Sequence, residues 1–118
     1  MKSGVIVAVD ELFFAAKIRA AAAHLGVEVT FPRSLDALLE AARESTLVIV
    51  DLHLQRYDPF LIARRLKESG ELRETSLVGF FSHVQTELQK RGEEVGFDRV
   101  MPRSAFTRRL HDILQGRI

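Results

Sequence analysis

Apolar and polar positions alternate along the chain in blocks that change period, from continuous runs to helical spacing and back. Gly4-Val5-Ile6-Val7-Ala8-Val9 is apolar at consecutive positions and rich in β-branched residues, as a strand buried on both faces should be. From Leu12 to Leu25 the chain is Ala-rich, with Phe13, Ala16, Ala20 and Ala23 near helical spacing and Gly26 as the stop. Val27, Val29 and Phe31 then alternate with Glu28 and Thr30, which predicts a more exposed edge strand. Ser34 stands where an N-cap belongs, ahead of a stripe of Leu35, Leu38, Leu39 and Ala42. Leu47-Val48-Ile49-Val50 is the strongest buried strand, running straight into Asp51. Asp58-Pro59 reads as N-cap plus first-turn proline for a helix that turns Ile62, Ala63 and Leu66 inward. Leu77 to Phe81 predicts a fourth strand, Gln85 to Arg91 a short polar helix and Phe97 to Met101 a fifth strand. Ser104 then caps a last helix with Phe106, Leu110, Ile113 and Leu114 on its inner face.

Five strand–helix repeats with near-continuous apolar strands imply a parallel sheet covered by helices on both faces. The expected fold is α/β, a flavodoxin-like doubly wound five-stranded parallel sheet, (βα)5, forming a single domain over residues 1–118. Composition narrows the function classes. An apolar share of 47% is that of a packed domain, not a disordered one. A formal net charge of +1 supplies no global attraction to nucleic acid or to an acidic membrane. Cysteine is absent, which excludes disulfides, thiolate metal sites and cysteine nucleophiles. The opening apolar stretch ends at Asp10-Glu11, too soon for a signal-peptide core or a membrane span, so a cytoplasmic protein is expected. No G-x-G-x-x-G follows the first strand and no G-x-x-x-x-G-K-[ST] occurs.

In such sheets ligand chemistry gathers outside the C-terminal ends of the strands. Strand one ends in Asp10-Glu11, strand three in Asp51, strand four in Ser82-His83 and strand five in Pro102-Arg103. Converging carboxylates repel one another and call for a hard divalent cation or a basic partner. A hydroxyl and a guanidinium opposite them are donors suited to a phosphoryl group. The constellation reads as a phosphoryl and Mg²⁺ pocket with Asp51 as candidate nucleophile.

With these residues the chain resembles the receiver domains of response regulators, the phosphoacceptor modules of two-component signalling, over nearly its whole length. Asp10-Glu11 matches the family's paired acids, and Leu47 to Pro59 its phosphoacceptor strand and following loop. Ser82 falls on the Thr/Ser position after strand four and Arg103 on that of an essentially invariant Lys. The resemblance implies a stand-alone, chemotaxis-type receiver in a phosphorelay, not an enzyme. Asp51 would take a phosphoryl group from a histidine kinase, a phosphotransfer protein or a small donor. Mg²⁺ would be held by Asp10, Glu11, Asp51 and the backbone carbonyl of His53. Ser82 would bond the phosphoryl oxygen, and an output protein would dock in trans on the helix-4/strand-5/helix-5 face. Homodimerisation stays open.

The chain also departs from that pattern. Arg103 is a planar fork, not the compact charge of Lys. Ser104 stands where the family usually has Pro, Pro102 precedes Arg103 instead, and Val100 replaces the aromatic residue that reports phosphorylation in many receivers. These departures leave a second reading, a pseudo-receiver adaptor that docks or dimerises without phosphorylation. A third, a metal-dependent phosphatase, lacks the second acid expected two residues after the nucleophile, where His53 stands.

Other readings weigh against the same residues. Asp10-Glu11 also suits a plain charge pair at a helix N-terminus. His53 and His83 near the crevice suggest a transition-metal site, against the absence of any His-x-x-x-His spacing. Arg103, Arg108, Arg109, His111 and Arg117, with Lys90, Arg91 and Arg99, make the C-terminal part locally basic, without the aromatic interleaving of a nucleic-acid surface. Phe13 and Phe14 are adjacent, so one helix face cannot bury both.

Overall fold

The computed structural model describes residues 3–70, 74–82 and 86–118. Its elements are β1 (Val5–Ala8), α1 (Leu12–Leu25), β2 (Val29–Thr30), α2 (Leu35–Ala42), β3 (Leu47–Asp51), α3 (Pro59–Ser69), β4 (Ser76–Phe81), α4 (Thr86–Val95), β5 (Arg99–Pro102), α5 (Arg103–Arg108) and α6 (Leu110–Leu114). The strands form one parallel sheet in the order β2-β1-β3-β4-β5. That is the doubly wound arrangement expected, with crossovers on both faces.

The pleat divides the strand residues between two apolar layers. Ile6, Val48, Val50 and Phe81 pack with Leu38, Ile62 and Leu66 of α2 and α3. Val7, Ile49, Val78 and Phe80 pack with Phe14, Ile18, Phe106 and Ile113 of α1, α5 and α6. Register then sets the functional edge: Ala8 faces Val50, Asp51 faces Phe80 and Phe81 faces Pro102. The strands therefore end together, and Asp10, Asp51, Ser82 and Arg103 leave the sheet at one rim.

Local chemistry accounts for most element ends. Ser34 accepts from the Ala37 amide at 3.1 Å, and Asp58 from the Phe60 amide at 2.9 Å ahead of Pro59. Gly26, at φ 70°, closes α1 in the left-handed conformation, and the Val27 amide bonds Ala22 O at 2.8 Å.

Five expectations need correction. The buried face of α1 is Phe14, Ala15, Ile18, Ala21 and Ala22, not Phe13, Ala16, Ala20 and Ala23. β2 is limited to Val29–Thr30, because Val27 is spent on the end of α1. The fifth strand begins at Arg99, with Phe97 instead bonding α4 through its amide to Gly92 O at 3.0 Å. The last helix starts at Arg103 directly after β5, with Pro102 rather than Ser104 at the N-cap position, and is divided at Arg109 into α5 and α6. α4 runs on to Val95; Gln85 and His83 lie outside the described residues.

Candidate functional site

Asp51 is the last residue of the central strand β3 and is half-buried. Its Oδ1 accepts from the His53 amide at 2.9 Å, which fixes the carboxylate against the turn that follows. Burial pushes the Asp51 carboxyl up from its ordinary value, with Asp10 adding to the rise and His53 and Arg103 opposing it. Beside it, His53 Nε2 is buried with no hydrogen-bond partner among the described residues.

The raised Asp51 value makes a stability prediction. The native state holds this proton more tightly than the unfolded chain, so the carboxylate's contribution falls as pH rises from below 3.8 through the raised native value. Asp51→Asn should therefore melt a few °C above the wild type at pH 7, with the gap closing towards pH 3. A gap independent of pH, or of opposite sign, would show that the carboxylate is not under this strain.

Asp10 follows β1 and is gripped by the loop after β3. Its Oδ2 accepts from the Gln55 and Arg56 amides at 3.1 and 3.2 Å, and the Arg56 Nε lies 3.7 Å from Oδ1. Glu11 is the N-cap of α1, with Oε1 accepting from the Phe13 amide at 3.1 Å and Oε2 from the Phe14 amide at 3.2 Å. Both carboxylate oxygens of Glu11 thus cap the first turn of α1. Arg103 Nη2 reaches the same Oε2 at 2.7 Å. This bond, above all, holds the Glu11 carboxyl below the usual carboxylate range.

Arg103 crosses the rim from the start of α5 with its guanidinium carbon 3.9 Å from the centre of the Phe14 ring. Phe14 is seated in turn on Phe80 and Phe106, at ring distances of 5.2 and 5.9 Å. Of the adjacent phenylalanines, Phe14 is the one that braces the site, and Phe13 is 89% exposed. Ser82, exposed, follows β4 two positions beyond the residue paired with Asp51.

The rim thus brings Asp10, Glu11, Asp51 and Arg103 into one electrostatic neighbourhood. It does not arrange them as a metal cage: among the described residues no three His, Asp or Glu side chains gather around a common point. The His53 carbonyl accepts from Gln55 Nε2 at 3.4 Å. With Glu11 spent on amides and a guanidinium, the donor set as it stands does not fit Mg²⁺, whose octahedral shell demands open oxygens. Sequence reasoning missed Arg56 and Gln55, and it left open which of Phe13 and Phe14 braces the pocket or the helix packing. A cation inside the loop following Asp51, opposite an acid pair, was the available signal for Arg56.

No family model matches the sequence, and no curated protein matches it. Solved structures do. CheY4, the chemotaxis response regulator of Vibrio cholerae, superposes with a TM-score of 0.82 at 15% identity over 100% of both chains. The BeF3-activated receiver domain of DrrB gives 0.79 at 20% identity, covering 98% of this chain and 97% of its own. The phosphorylated cyanobacterial phytochrome response regulator RcpA gives 0.76 at 16% identity, covering 98% and 91%. Among the described residues no helix is long and apolar enough to cross a membrane. From β1 to α6, this chain has the fold of the response-regulator receiver domains.

Proposed function

We propose that this chain is a receiver-type module of phosphorelay signalling, cytoplasmic and not itself an enzyme, with Asp51 as its phosphoacceptor. The carrying observation is the placement of Asp51 at the rim end of the central strand, half-buried, within the electrostatic influence of Asp10 and of the Arg103 guanidinium. Likeness of fold to a phosphorylated regulator and to a BeF3-activated one supports the same reading.

The chemistry is a transfer of a phosphoryl group between nucleophiles. A carboxylate oxygen of Asp51 attacks phosphorus, forming an acyl phosphate. The bond from phosphorus to the donor's imidazole nitrogen, or to the carboxylate oxygen of a small acyl phosphate, breaks with its electron pair leaving on the donor. The His53 amide holds Oδ1, which leaves Oδ2 to attack. Arg103 offers charge-assisted hydrogen bonds to the phosphoryl oxygens, and the Ser82 hydroxyl adds a neutral donor. The donor in the cell is a histidine kinase or phosphotransfer protein, and output is by binding a protein in trans on the face of α4, β5 and α5.

Incubation with acetyl phosphate and mass spectrometry test the reading. The wild type should gain one phosphoryl group that is released by hydroxylamine, and Asp51→Asn should gain none. Uptake that survives in Asp51→Asn moves the acceptor elsewhere. No uptake by the wild type, with Mg²⁺ present or absent, leaves the adaptor reading, which the pairing of Glu11 with Arg103 favours.

A further inference from the structure

Asp51 Oδ2 apart, the oxygens that a divalent cation would use at this rim already have a partner within the chain. Glu11 caps α1 with both oxygens and receives Arg103 at 2.7 Å. Asp10 is held by two amides and faces Arg56. Asp51 Oδ1 is held by the His53 amide, and the His53 carbonyl by Gln55 Nε2. The positive charge that paired carboxylates require is thus supplied by guanidinium groups.

Arg103 is built to stay there. It is the first residue of α5 and follows β5 with no intervening loop, so its backbone is tied to the sheet. Its carbonyl also accepts from Thr107 Oγ1 at 2.8 Å. The guanidinium lies over the Phe14 ring while its Nη2 reaches Glu11, a combination of cation–ring contact and directed hydrogen bonding for which a planar guanidinium is better suited than an ammonium. Phe14 itself is buried against Phe80 and Phe106, so the platform is rigid.

We propose that Arg103 takes the place of a divalent cation at this pocket, so that the chain binds Mg²⁺ only by displacing the guanidinium from Glu11. The inference rests on the reading above for the identity of the pocket, but concerns which cation occupies it. Displacement couples two equilibria. Mg²⁺ sees only the fraction of molecules in which Glu11 is released, and its apparent dissociation constant rises by the inverse of that fraction. Two positive charges also cannot share Glu11 without mutual repulsion at close range.

The test is a titration of the full chain with MgCl₂, followed by amide shifts of Asp10, Glu11 and Asp51 and by calorimetry. Arg103→Gln keeps a neutral polar side chain at the rim but removes the charge, and should bind Mg²⁺ about tenfold or more tightly than the wild type. Adding Glu11→Gln to that variant should abolish the gain. Affinities equal to within about twofold in wild type and Arg103→Gln, or no binding by either, would overturn the proposal. Should Arg103→Gln fail to fold, the wild type alone still decides through its Arg103 Nε–H resonance. Mg²⁺ must shift that resonance in step with the Glu11 amide, and saturation at Glu11 with Arg103 unmoved is the overturning result. Failure here is separable from failure of the phosphoacceptor reading. Acetyl phosphate uptake on Asp51 with equal Mg²⁺ affinities sinks only this inference, and displacement of Arg103 without any uptake sinks only the other.

Discussion

Phe80→Ala should lower the stability of the fold by about 3–5 kcal/mol, a large part of the roughly 5–15 kcal/mol that holds a domain together. Phe80 is fully buried, and its ring lies 4.6 Å from that of Phe106 in a near-parallel stack and 5.2 Å from that of Phe14. Its backbone faces Asp51 across the β3–β4 ladder, and its carbonyl receives the Leu52 amide at 2.9 Å. Truncation removes a transfer contribution and leaves a void between two sheet-covering helices, α1 and α5, that cannot collapse independently. The effect should reach the site. Phe14 would lose its closest ring, and the guanidinium resting on it would no longer be held against Glu11. Guanidinium chloride unfolding should show a lower midpoint with an unchanged slope. The Glu11 carboxyl, now held low by Arg103, should titrate nearer its ordinary value of 4.5. Phe80→Leu, which fills most of the space, should cost less than about 1.5 kcal/mol. A loss below about 1 kcal/mol in Phe80→Ala would mean that the three-ring stack does not carry this layer.

The same layer explains what the sequence made legible. β1, β3 and β4 are near-continuous apolar runs, and only burial on both faces accounts for Val48, Ile49 and Val50 in succession. From that follow the parallel sheet, the common rim and the positions of Asp10, Asp51, Ser82 and Arg103. The phase of α1 was not legible. Its residues are apolar nearly all round, so periodicity alone could not choose between Phe13 and Phe14. The choice is made by Glu11 capping the first turn and by the fit of Phe14 against Phe80 and Phe106, both non-local. β2 read too long because alternation says nothing about a backbone amide already committed to a helix end, as that of Val27 is. Ser104 looked like a cap on composition. The chain turns into helix two residues earlier, straight from β5 with Pro102 at the N-cap position, and Arg109 interrupts it at φ −101° and ψ 8°. Within the site, residue types and strand ends were readable, but side-chain pairing was not. That Arg103 would bond Glu11 rather than wait for a phosphoryl group depends on a ring platform from α1 and on the direction in which α5 leaves the sheet.

Gly92→Val tests the other layer, where the proposed output face meets the sheet. Gly92 is buried in α4, and a Cβ there would stand 2.9 Å from Val100 Cγ2 of β5, closer than real Cβ atoms come. Leu52 and Phe97 lie at 3.7 Å on either side, so the added methyl groups have no free direction. The helix therefore sits on β5 by virtue of a missing side chain. Val should force α4 outward at a cost of about 1–3 kcal/mol, in excess of any gain in helix propensity over Gly. Because the strain is localised between two named side chains, it should be relieved by the partner substitution. Val100→Ala in the Gly92→Val background should recover at least about half of the loss, although Val100→Ala alone destabilises. Amide shifts should spread through α4 and β5, while acetyl phosphate uptake on Asp51 should persist, since the rim carboxylates are held by α1 and the loop after β3. Independent, additive losses would show that α4 is not seated on Val100. Loss of uptake together with the α4 shifts would show instead that the two layers are coupled, and that the output face and the phosphoacceptor rim move as one.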